Sequence, residues 1–411
     1  MTPEQILILI LGIITVDYLL DQYVDYLNLK ASRSDIPDEV AEFYDREKYE
    51  KSITYHKVLA RFSFLTSLFS FLLSFGLLSF GGFEFFDQLV SPYFTNEIFL
   101  ALGYFALLFV LSDLINIPFQ WYSTFIIEER FGFNKTTPRL FFVDKIKGYL
   151  LGGIFGALLL GTLLYLILTI GEGFWIYFWL VIAAFMLLAN MFYTSLILPL
   201  FNKLTPLEDG DLKTAIEDYS NKVDFPLDNV FVIDGSKRSN KANAFFSGLG
   251  KRKKIVLYDT LINNHTIEEL VAVLAHEVGH FKKKHIVSGY ITSLIQTGLM
   301  LFIMSRLIFS ESVSMALGAM ELKIHLNLIA FSILYSPVSK IAGILGNILS
   351  RKNEFEADAY AADTYNKTAL GTALKKLSVD SLSNLFPHSL YVFLKYSHPP
   401  LMERLRALGK V

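Results

Sequence analysis

The hydrophobic positions of this chain are gathered into long blocks instead of short amphipathic segments. A helix that spans a bilayer needs about 20 predominantly apolar residues, and seven stretches approach or exceed that length. They are residues 6–20, 62–83, 98–117, 149–170, 174–200, 287–309 and 324–349. One such block alone is compatible with a buried core helix, but seven in one chain are not. The pattern therefore predicts a mainly α, polytopic membrane protein with seven transmembrane helices.

One polar block of domain-like size, residues 202–284, separates the fifth hydrophobic stretch from the sixth. It begins with a predicted helix at residues 212–222, and three strand-like runs follow. These runs cover residues 229–233, 242–246 and 254–258, with glycine-containing turns at 234–236 and 248–250. A second polar segment, residues 351–411, follows the last hydrophobic stretch and has a mostly helical pattern. The first block predicts a small α+β domain outside the membrane.

The last helix predicted in the polar block carries a metal-binding motif. It begins with a Thr-x-x-Glu capping-box pattern at residues 266–269 and continues into His-Glu-Val-Gly-His at residues 276–280. Side chains four residues apart on a helix project from one face, so His276 and His280 can reach the same ion. Glu277 lies beside the first of them, where it can act on a water molecule. A motif this short requires a third ligand before it indicates a function.

A carboxylate that follows the seventh hydrophobic stretch can supply that ligand. If residues 350–361 are helical, Glu354 and Asp358 share a face and Glu356 points elsewhere. Glu354 is therefore the expected third ligand. Asp358, one turn further on, is expected to accept a hydrogen bond from a ligating histidine and to fix its ring. Glu356 remains the alternative ligand.

Composition limits the kind of metal and the kind of partner. The chain has no cysteine, so disulfides and thiolate ligands are excluded and a metal must be held by histidine and carboxylate groups. Zn²⁺ is the expected ion. The formal net charge of −2 gives no indication of a nucleic-acid partner. The first hydrophobic stretch lacks the positive n-region and the cleavage site of a signal peptide, so we expect it to persist as a membrane helix.

Lysine and arginine positions predict the orientation. The loops after the first and third hydrophobic stretches carry several of them, whereas residues 84–97 and 171–173 carry none. The positive-inside rule then places the N terminus outside and the polar block in the cytoplasm. The predicted organisation is residues 1–200 as membrane helices one to five, residues 201–285 as a cytoplasmic zinc-protease domain, residues 286–350 as helices six and seven, and residues 351–411 as a helical segment that supplies the third ligand.

These motifs, together with several others, resemble a known family. The chain is similar to the type I CAAX prenyl proteases, the integral-membrane zinc metalloproteases that include the a-factor-converting enzyme. The resemblance covers essentially the whole chain and rests on residues 128–137, 235–239, 243–246, 255–261, 276–280, the segment around Glu354, and residues 396–400. It implies seven membrane helices around a large water-filled chamber, with a gluzincin-like zinc site at the cytoplasmic end.

The motifs and the resemblance imply a mechanism. We expect the three-ligand zinc site to leave one position for water, as catalytic sites do, and Glu277 to take the proton of that water. By resemblance, His398 reaches the substrate near the metal; the alternative is a histidine that caps the turn at residues 397–400. Asn243 and Ala244 are expected, also by resemblance, to pair with an extended peptide. An ordinary central strand is the alternative for that segment.

Two other functions fit part of the sequence. The same chemistry could act on damaged membrane proteins, as in the heat-shock membrane zinc proteases, but those enzymes have fewer membrane helices. A seven-helix transporter or receptor with a structural zinc would not require Glu277 or an open coordination position. We therefore expect a zinc endopeptidase that cleaves near the C terminus of prenylated, CAAX-type or other hydrophobic peptides. Its expected partners are a peptide or protein substrate and membrane lipid.

Further expectations concern the localisation of the protein and the roles of three polar residues. Short loops favour a bacterial inner-membrane protein, or an endoplasmic reticulum protein if the source is eukaryotic, with a cytoplasmic active site and a monomeric state. His285 lies half a turn from the ligand face and is predicted to be structural. Asp113 and Lys340 are charged residues within predicted membrane helices, and such residues line a wet interior or form pairs.

Overall fold

The computed structural model describes residues 1–247 and 253–409, so the turn predicted at residues 248–250 lies outside the described residues. Most of the chain is helical. The α-helices are α1 (Pro3–Lys30), α2 (Arg46–Ser79), α3 (Gly82–Val90), α4 (Glu97–Tyr122), α5 (Glu129–Phe131), α6 (Pro138–Ile170), α7 (Phe174–Phe192), α8 (Leu198–Phe201), α9 (Asp211–Lys222), α10 (Asp259–Asn264), α11 (Ile267–Lys282), α12 (His285–Leu307), α13 (Glu311–Ala316), α14 (Ile324–Leu334), α15 (Ser336–Ala361), α16 (Lys367–Asp380), α17 (Ser389–Lys395) and α18 (Leu401–Leu408).

Long apolar helices form the membrane region. Among the described residues, five helical segments are long and apolar enough to cross a bilayer, and a sixth is formed if α14 and the bent continuation from Ser336 count as one span. The five segments are Pro3–Lys30, Arg46–Ser79, Glu97–Phe131, Pro138–Phe201 and His285–Leu307. Many of their large apolar side chains are exposed, as expected for surfaces that contact lipid. The predicted polytopic membrane protein is confirmed at this level.

The segment Pro138–Phe201 turns back on itself. Its two long helices, α6 and α7, are joined by a single helical turn at Gly171–Gly173. Gly171 has a φ of +68°, a conformation that glycine adopts without steric cost. Phe155 of α6 contacts Phe185 of α7, with ring centroids 5.7 Å apart. The two helices therefore run antiparallel.

The two intramembrane charges singled out in the sequence are both paired, but not with each other. Asp113 of α4 accepts hydrogen bonds from Lys145 of α6, whose Nζ lies 2.8 Å from Asp113 Oδ1. Lys340 of α15 lies 3.0 Å from a carboxylate oxygen of Asp17 in α1. Both pairs join different helices, which satisfies charges that would be costly if they faced lipid alone.

A four-stranded sheet occupies the polar block. Its strands are β1 (Leu204–Pro206), β2 (Leu227–Ile233), β3 (Ala244–Ser247) and β4 (Lys253–Tyr258). The spatial order is β1-β2-β4-β3, with β2 and β4 parallel and the outer strands antiparallel to their neighbours. The three predicted strands are present within a few residues of their expected bounds, and the three-residue β1 was not predicted. In the described part of the chain, β3 forms one edge of the sheet.

The hydrophobic core of the domain fixes the motif helix. Leu270, Val271 and Leu274 of α11 are buried together with residues of β4 and α16. The predicted capping box is present: Glu269 N donates to Thr266 Oγ1 at 3.3 Å, and Thr266 N donates to the Glu269 carboxylate at 3.0 Å. Together the cap and the buried face set both the start and the rotation of α11.

Close packing of α11 against α15 brings the two motifs together. A Cβ atom at Gly279 would lie 3.0 Å from the Cα atom of Ala357, so the absence of a side chain allows the two helices to approach. Helix α15 begins in the apolar segment after α14 and continues without a break into the domain. It therefore carries Glu354 and Asp358 to the face of α11 that bears the histidines.

Candidate metal and active site

The predicted ligands converge in space. The ligand atoms of His276, His280 and Glu354 all lie within 4.8 Å of one another. The Nε2 atoms of the two histidines are 3.1 Å apart. One Glu354 oxygen lies 3.5 Å from His276 Nε2, and the other lies 3.3 Å from His280 Nε2. The carboxylate therefore faces both rings, and the helical spacing of the histidines places their outer nitrogens together.

These separations fit a small tetrahedral ion. Nitrogen or oxygen ligands about 2.0–2.1 Å from a zinc ion in a tetrahedron lie roughly 3.3 Å from one another, which is close to the three separations above. Glu354 is buried, and its Oε2 atom accepts no well-aligned hydrogen bond from the described residues, although His398 Nδ1 lies 3.1 Å away. A buried carboxylate oxygen without a hydrogen bond is unfavourable, and a metal ion would satisfy it. The donor set of two imidazoles and one carboxylate fits a metal site.

Asp358 and Arg404 hold the first histidine. The Nδ1–H group of His276 donates to Asp358 Oδ1 at 2.8 Å, which leaves Nε2 free to bind a metal. The Arg404 guanidinium donates to both oxygens of the same carboxylate, at 2.6 and 2.7 Å. Sequence reasoning predicted Asp358 but missed Arg404. Arg404 lies far from both motifs in the sequence, so no sequence pattern indicated this contact.

The electrostatics of the site favour a cation. Burial alone would lower the pKa of His276, but its hydrogen bond to Asp358 and the nearby Glu354 carboxylate outweigh burial and raise the pKa to about 9. The ring lies between two carboxylates, so positive charge at this position is stabilised, whether it comes from a proton or from a metal. Burial also raises the pKa of the Glu277 carboxyl, and the neighbouring His276 and His280 oppose that effect. A carboxyl with a raised pKa is suited to accept a proton.

His398 lies on the solvent side of the ligands. Its Nδ1 atom is 3.1 Å from Glu354 Oε2, and 68% of its side chain is exposed. It precedes Pro399 and Pro400 at the start of α18. The exposed ring lies near the candidate metal ligands without being one of the three convergent groups.

His285 and Glu356 support the second histidine. Lys284 has a φ of +60°, and this left-handed residue in the turn between α11 and α12 directs His285, the first residue of α12, back toward the site. The Nδ1 atoms of His285 and His280 are 3.0 Å apart, and His285 Nε2 lies 3.1 Å from the Glu356 carboxylate. Glu356, the alternative ligand, therefore contacts His285 and is absent from the convergent group.

Asn243 and Ala244 lie where the edge strand begins. Asn243 precedes β3 and is exposed, and its carbonyl accepts a hydrogen bond from Tyr258 N at 3.1 Å. Ala244 is paired with Leu257 of β4. Among the described residues β3 has no strand on its other side, so that side is an edge rather than the centre of a sheet.

Two family models match the chain. The model described as the CAAX prenyl protease N-terminal region with five membrane helices matches residues 25–203. The model of peptidase family M48 matches residues 206–411. The two matches meet at the start of the sheet domain, and the second includes all the convergent ligands.

Known proteins of similar sequence and structure agree with these models. The probable CAAX prenyl protease 1 of Schizosaccharomyces pombe is 35% identical over 95% of this chain and 85% of its own length. The CAAX prenyl protease 1 of Saccharomyces cerevisiae is 34% identical over 98% of this chain and 95% of its own length. The crystal structure of Ste24p from S. mikatae matches with a TM-score of 0.93 at 33% identity, covering 98% of this chain and 99% of that one. The chain therefore belongs to the CAAX prenyl protease family of membrane M48 metallopeptidases.

Proposed function

We propose that this chain hydrolyses a peptide bond near the C terminus of prenylated, CAAX-type peptides or of other hydrophobic peptides. The relatives are named as CAAX prenyl proteases. The observation in this chain that carries the proposal is the convergence of His276, His280 and Glu354. The two alternatives, a quality-control protease and a seven-helix transporter or receptor, are not favoured by the family or by the relatives.

Zinc is the ion that we propose for the three-ligand site. The chain has no cysteine, and two imidazoles with one carboxylate are a common set of catalytic zinc ligands. When bound, zinc polarises the peptide carbonyl and lowers the pKa of a coordinated water to about 7. His276, His280 and Glu354 would hold it, while Asp358 keeps the Nδ1 proton of His276 in place.

Proton transfer is the role that we propose for Glu277. Its carboxylate accepts the proton of the attacking water and delivers it to the leaving amine as the peptide bond breaks. The burial that raises its pKa supports this role, because proton acceptance is then less costly. His398 donates a hydrogen bond to the carbonyl oxygen as negative charge develops there. Its exposed position beside Glu354 supports that assignment.

Asn243 and Ala244 are proposed to bind the substrate backbone. An extended peptide can add a strand to an exposed sheet edge through main-chain hydrogen bonds, and the edge position of β3 supports this mode. Such pairing holds the peptide extended, so that its scissile bond is accessible. It also requires little of the substrate's side chains, which leaves specificity to other parts of the site.

The membrane arrangement that we propose has seven crossings, with the antiparallel α6 and α7 counted separately. A cytoplasmic catalytic domain follows from the lysine and arginine distribution, and it applies equally to a bacterial inner membrane and to the endoplasmic reticulum membrane. A monomer in lipid is the proposed state. The cysteine-free chain allows a direct test: Glu208→Cys should react with a membrane-impermeant thiol reagent only from the cytoplasmic side, and Glu321→Cys only from the other side.

The proposed function is tested by replacing Glu277 with Gln. The purified variant should retain bound zinc but lose about 10²–10⁴-fold in kcat on a farnesylated peptide, because proton transfer is removed while the ligands remain. Glu268→Gln is the matched control, since Glu268 is exposed on the same helix, and it should cleave as the wild type does. Undiminished turnover by Glu277→Gln would contradict the proposed mechanism.

A further inference from the structure

A cavity of about 570 Å³ lies beside the candidate active site. His398 and Arg404, which contact Glu354 and Asp358, form part of its wall. Its volume falls within the range of about 300–1,000 Å³ that is typical of small-ligand sites. The cavity is therefore large enough for a short piece of peptide, and it is continuous with the groups assigned to catalysis.

The cavity wall carries several basic side chains. Within the described part of the chain they are His56, Lys241, Lys395, His398 and Arg404, and no aspartate or glutamate lines the cavity. Three of these cations are each paired with a carboxylate that lies outside the wall: Lys241 with Glu128, Lys395 with Asp25 and Arg404 with Asp358. The wall therefore offers N–H donors, which suit an anionic acceptor, and its described residues include no carboxylate that would compete with it.

Lys241 is ordered by groups that do not line the cavity. Its Nζ atom lies 3.0 Å from the Glu128 carboxylate and 3.1 Å from the Tyr55 hydroxyl, and 4.3 Å from the ring centroid of Phe133. A lysine ammonium has three N–H donors, and these two hydrogen bonds use two of them. The third can be directed to a ligand. The contacts behind it hold the ammonium at a fixed position.

Lys241 also connects the cavity to the edge strand. It lies three residues before Ala244, the first residue of β3, and Thr260 Oγ1 donates to its carbonyl at 3.1 Å. A peptide that pairs with β3 and extends past its start therefore enters the cavity. The N–H donors of the cavity wall suit the end of the peptide that carries a carboxylate.

We propose that this cavity binds the free C-terminal carboxylate of the peptide substrate and that Lys241 donates the principal hydrogen bond to it. The inference rests on the proposed function, because it concerns the substrate of the same site. The substrate then runs antiparallel to β3. A carboxylate anchored at a fixed distance from the proposed metal ligands places a bond a few residues from the substrate's C terminus at the site. The position of cleavage is then set by the number of residues between that bond and the C terminus.

The test compares two farnesylated peptides that differ only in a free-acid or an amidated C terminus. Hydrogen bonds to charged groups contribute enough that the wild-type enzyme should prefer the free acid by about ten-fold or more in kcat/KM. In Lys241→Gln the preference should fall below about two-fold, mainly through a higher KM for the free acid. Lys241→Arg, which retains the positive charge, should keep most of the preference for the free acid. Lys213→Gln, a change of equal charge on α9 and outside the cavity wall, should leave the preference at the wild-type value.

The outcomes separate this inference from the proposed function. If the wild-type enzyme cleaves both peptides equally well, or if Lys241→Gln keeps the ten-fold preference, the carboxylate site is wrong although the protease assignment stands. If neither peptide is cleaved, the proposed function fails and the inference fails with it. Product inhibition gives a measurement that needs no variant: the short peptide released from the free acid should inhibit the wild type at least about ten-fold more strongly than its amide. Equal inhibition would also overturn the inference.

Discussion

Replacement of Asp358 with Asn tests how His276, the first proposed metal ligand, is held. Asp358 accepts a hydrogen bond from His276 and two from Arg404, and 2% of its side chain is exposed. Asparagine has nearly the same shape and keeps one acceptor oxygen. It removes the negative charge that increases the basicity of the His276 ring and that balances the Arg404 guanidinium. The change therefore isolates charge from packing.

The expected magnitude follows from the burial of these groups. Loss of a carboxylate that orients a ligating histidine typically reduces metal affinity about 10- to 100-fold. Removal of one partner from a buried ion pair costs about 3–5 kcal/mol of folding stability, and Arg404 is 12% exposed. Arg404 retains Glu354 at 3.6 Å, and the asparagine oxygen still accepts a hydrogen bond. We therefore expect a loss at the lower end, about 3 kcal/mol.

Zinc affinity is measured by competition with a chelator of known affinity, and stability by thermal unfolding of the metal-free protein in detergent. Asp363→Asn serves as the control, because Asp363 is exposed five residues further along the same helical run, and its zinc affinity should match that of the wild type. Zinc binding by Asp358→Asn within two-fold of the wild type would refute the view that this charge supports the His276 ligand.

Three further predictions concern the helix interface, the helix cap and the metal. Gly279→Ala should cost about 1–3 kcal/mol and reduce zinc content, because its Cβ would lie 3.0 Å from the Ala357 backbone; normal metal content by mass spectrometry would contradict this. Thr266→Ala should lower unfolding stability by about 1 kcal/mol through loss of the cap, and an unchanged unfolding temperature would disprove it. Chelation with 1,10-phenanthroline should abolish peptide cleavage and added zinc should restore it, whereas chelator-resistant cleavage would exclude a metal mechanism.

The convergence of the candidate ligands could be predicted because it depends on helical periodicity. His276 and His280 are four residues apart, as are Glu354 and Asp358, and each pair shares a helix face whatever the tertiary structure. The capping box at Thr266 is equally local. In each case the relative position of the side chains follows once the segment is known to be helical, and the spacing of the hydrophobic residues indicated a helix.

The partners of these residues could not be predicted in the same way. Arg404 meets Asp358 across 46 residues of sequence, and Lys241 meets Glu128 across 113 residues. Such contacts depend on how whole elements pack. The position of His285 depends on one left-handed residue, Lys284, and lysine rarely adopts that conformation, so no sequence pattern predicted the turn.

One face of α15 connects the membrane region to the candidate site. Its polar residues at 340, 347, 351, 354 and 358 are separated by seven, four, three and four positions, which keeps them on one side of the helix. Lys340 pairs with Asp17 of α1. Asn347 donates a hydrogen bond to the carbonyl of Leu394, and Arg351 donates to the carbonyls of Val392 and Tyr396, so both residues hold α17. The last two, Glu354 and Asp358, meet α11. Because α17 leads directly to His398, a shift of α15 in the membrane would move Glu354, the proposed third ligand, and the segment before His398 together. The membrane helices therefore act as the rigid support on which the spacing of the site depends.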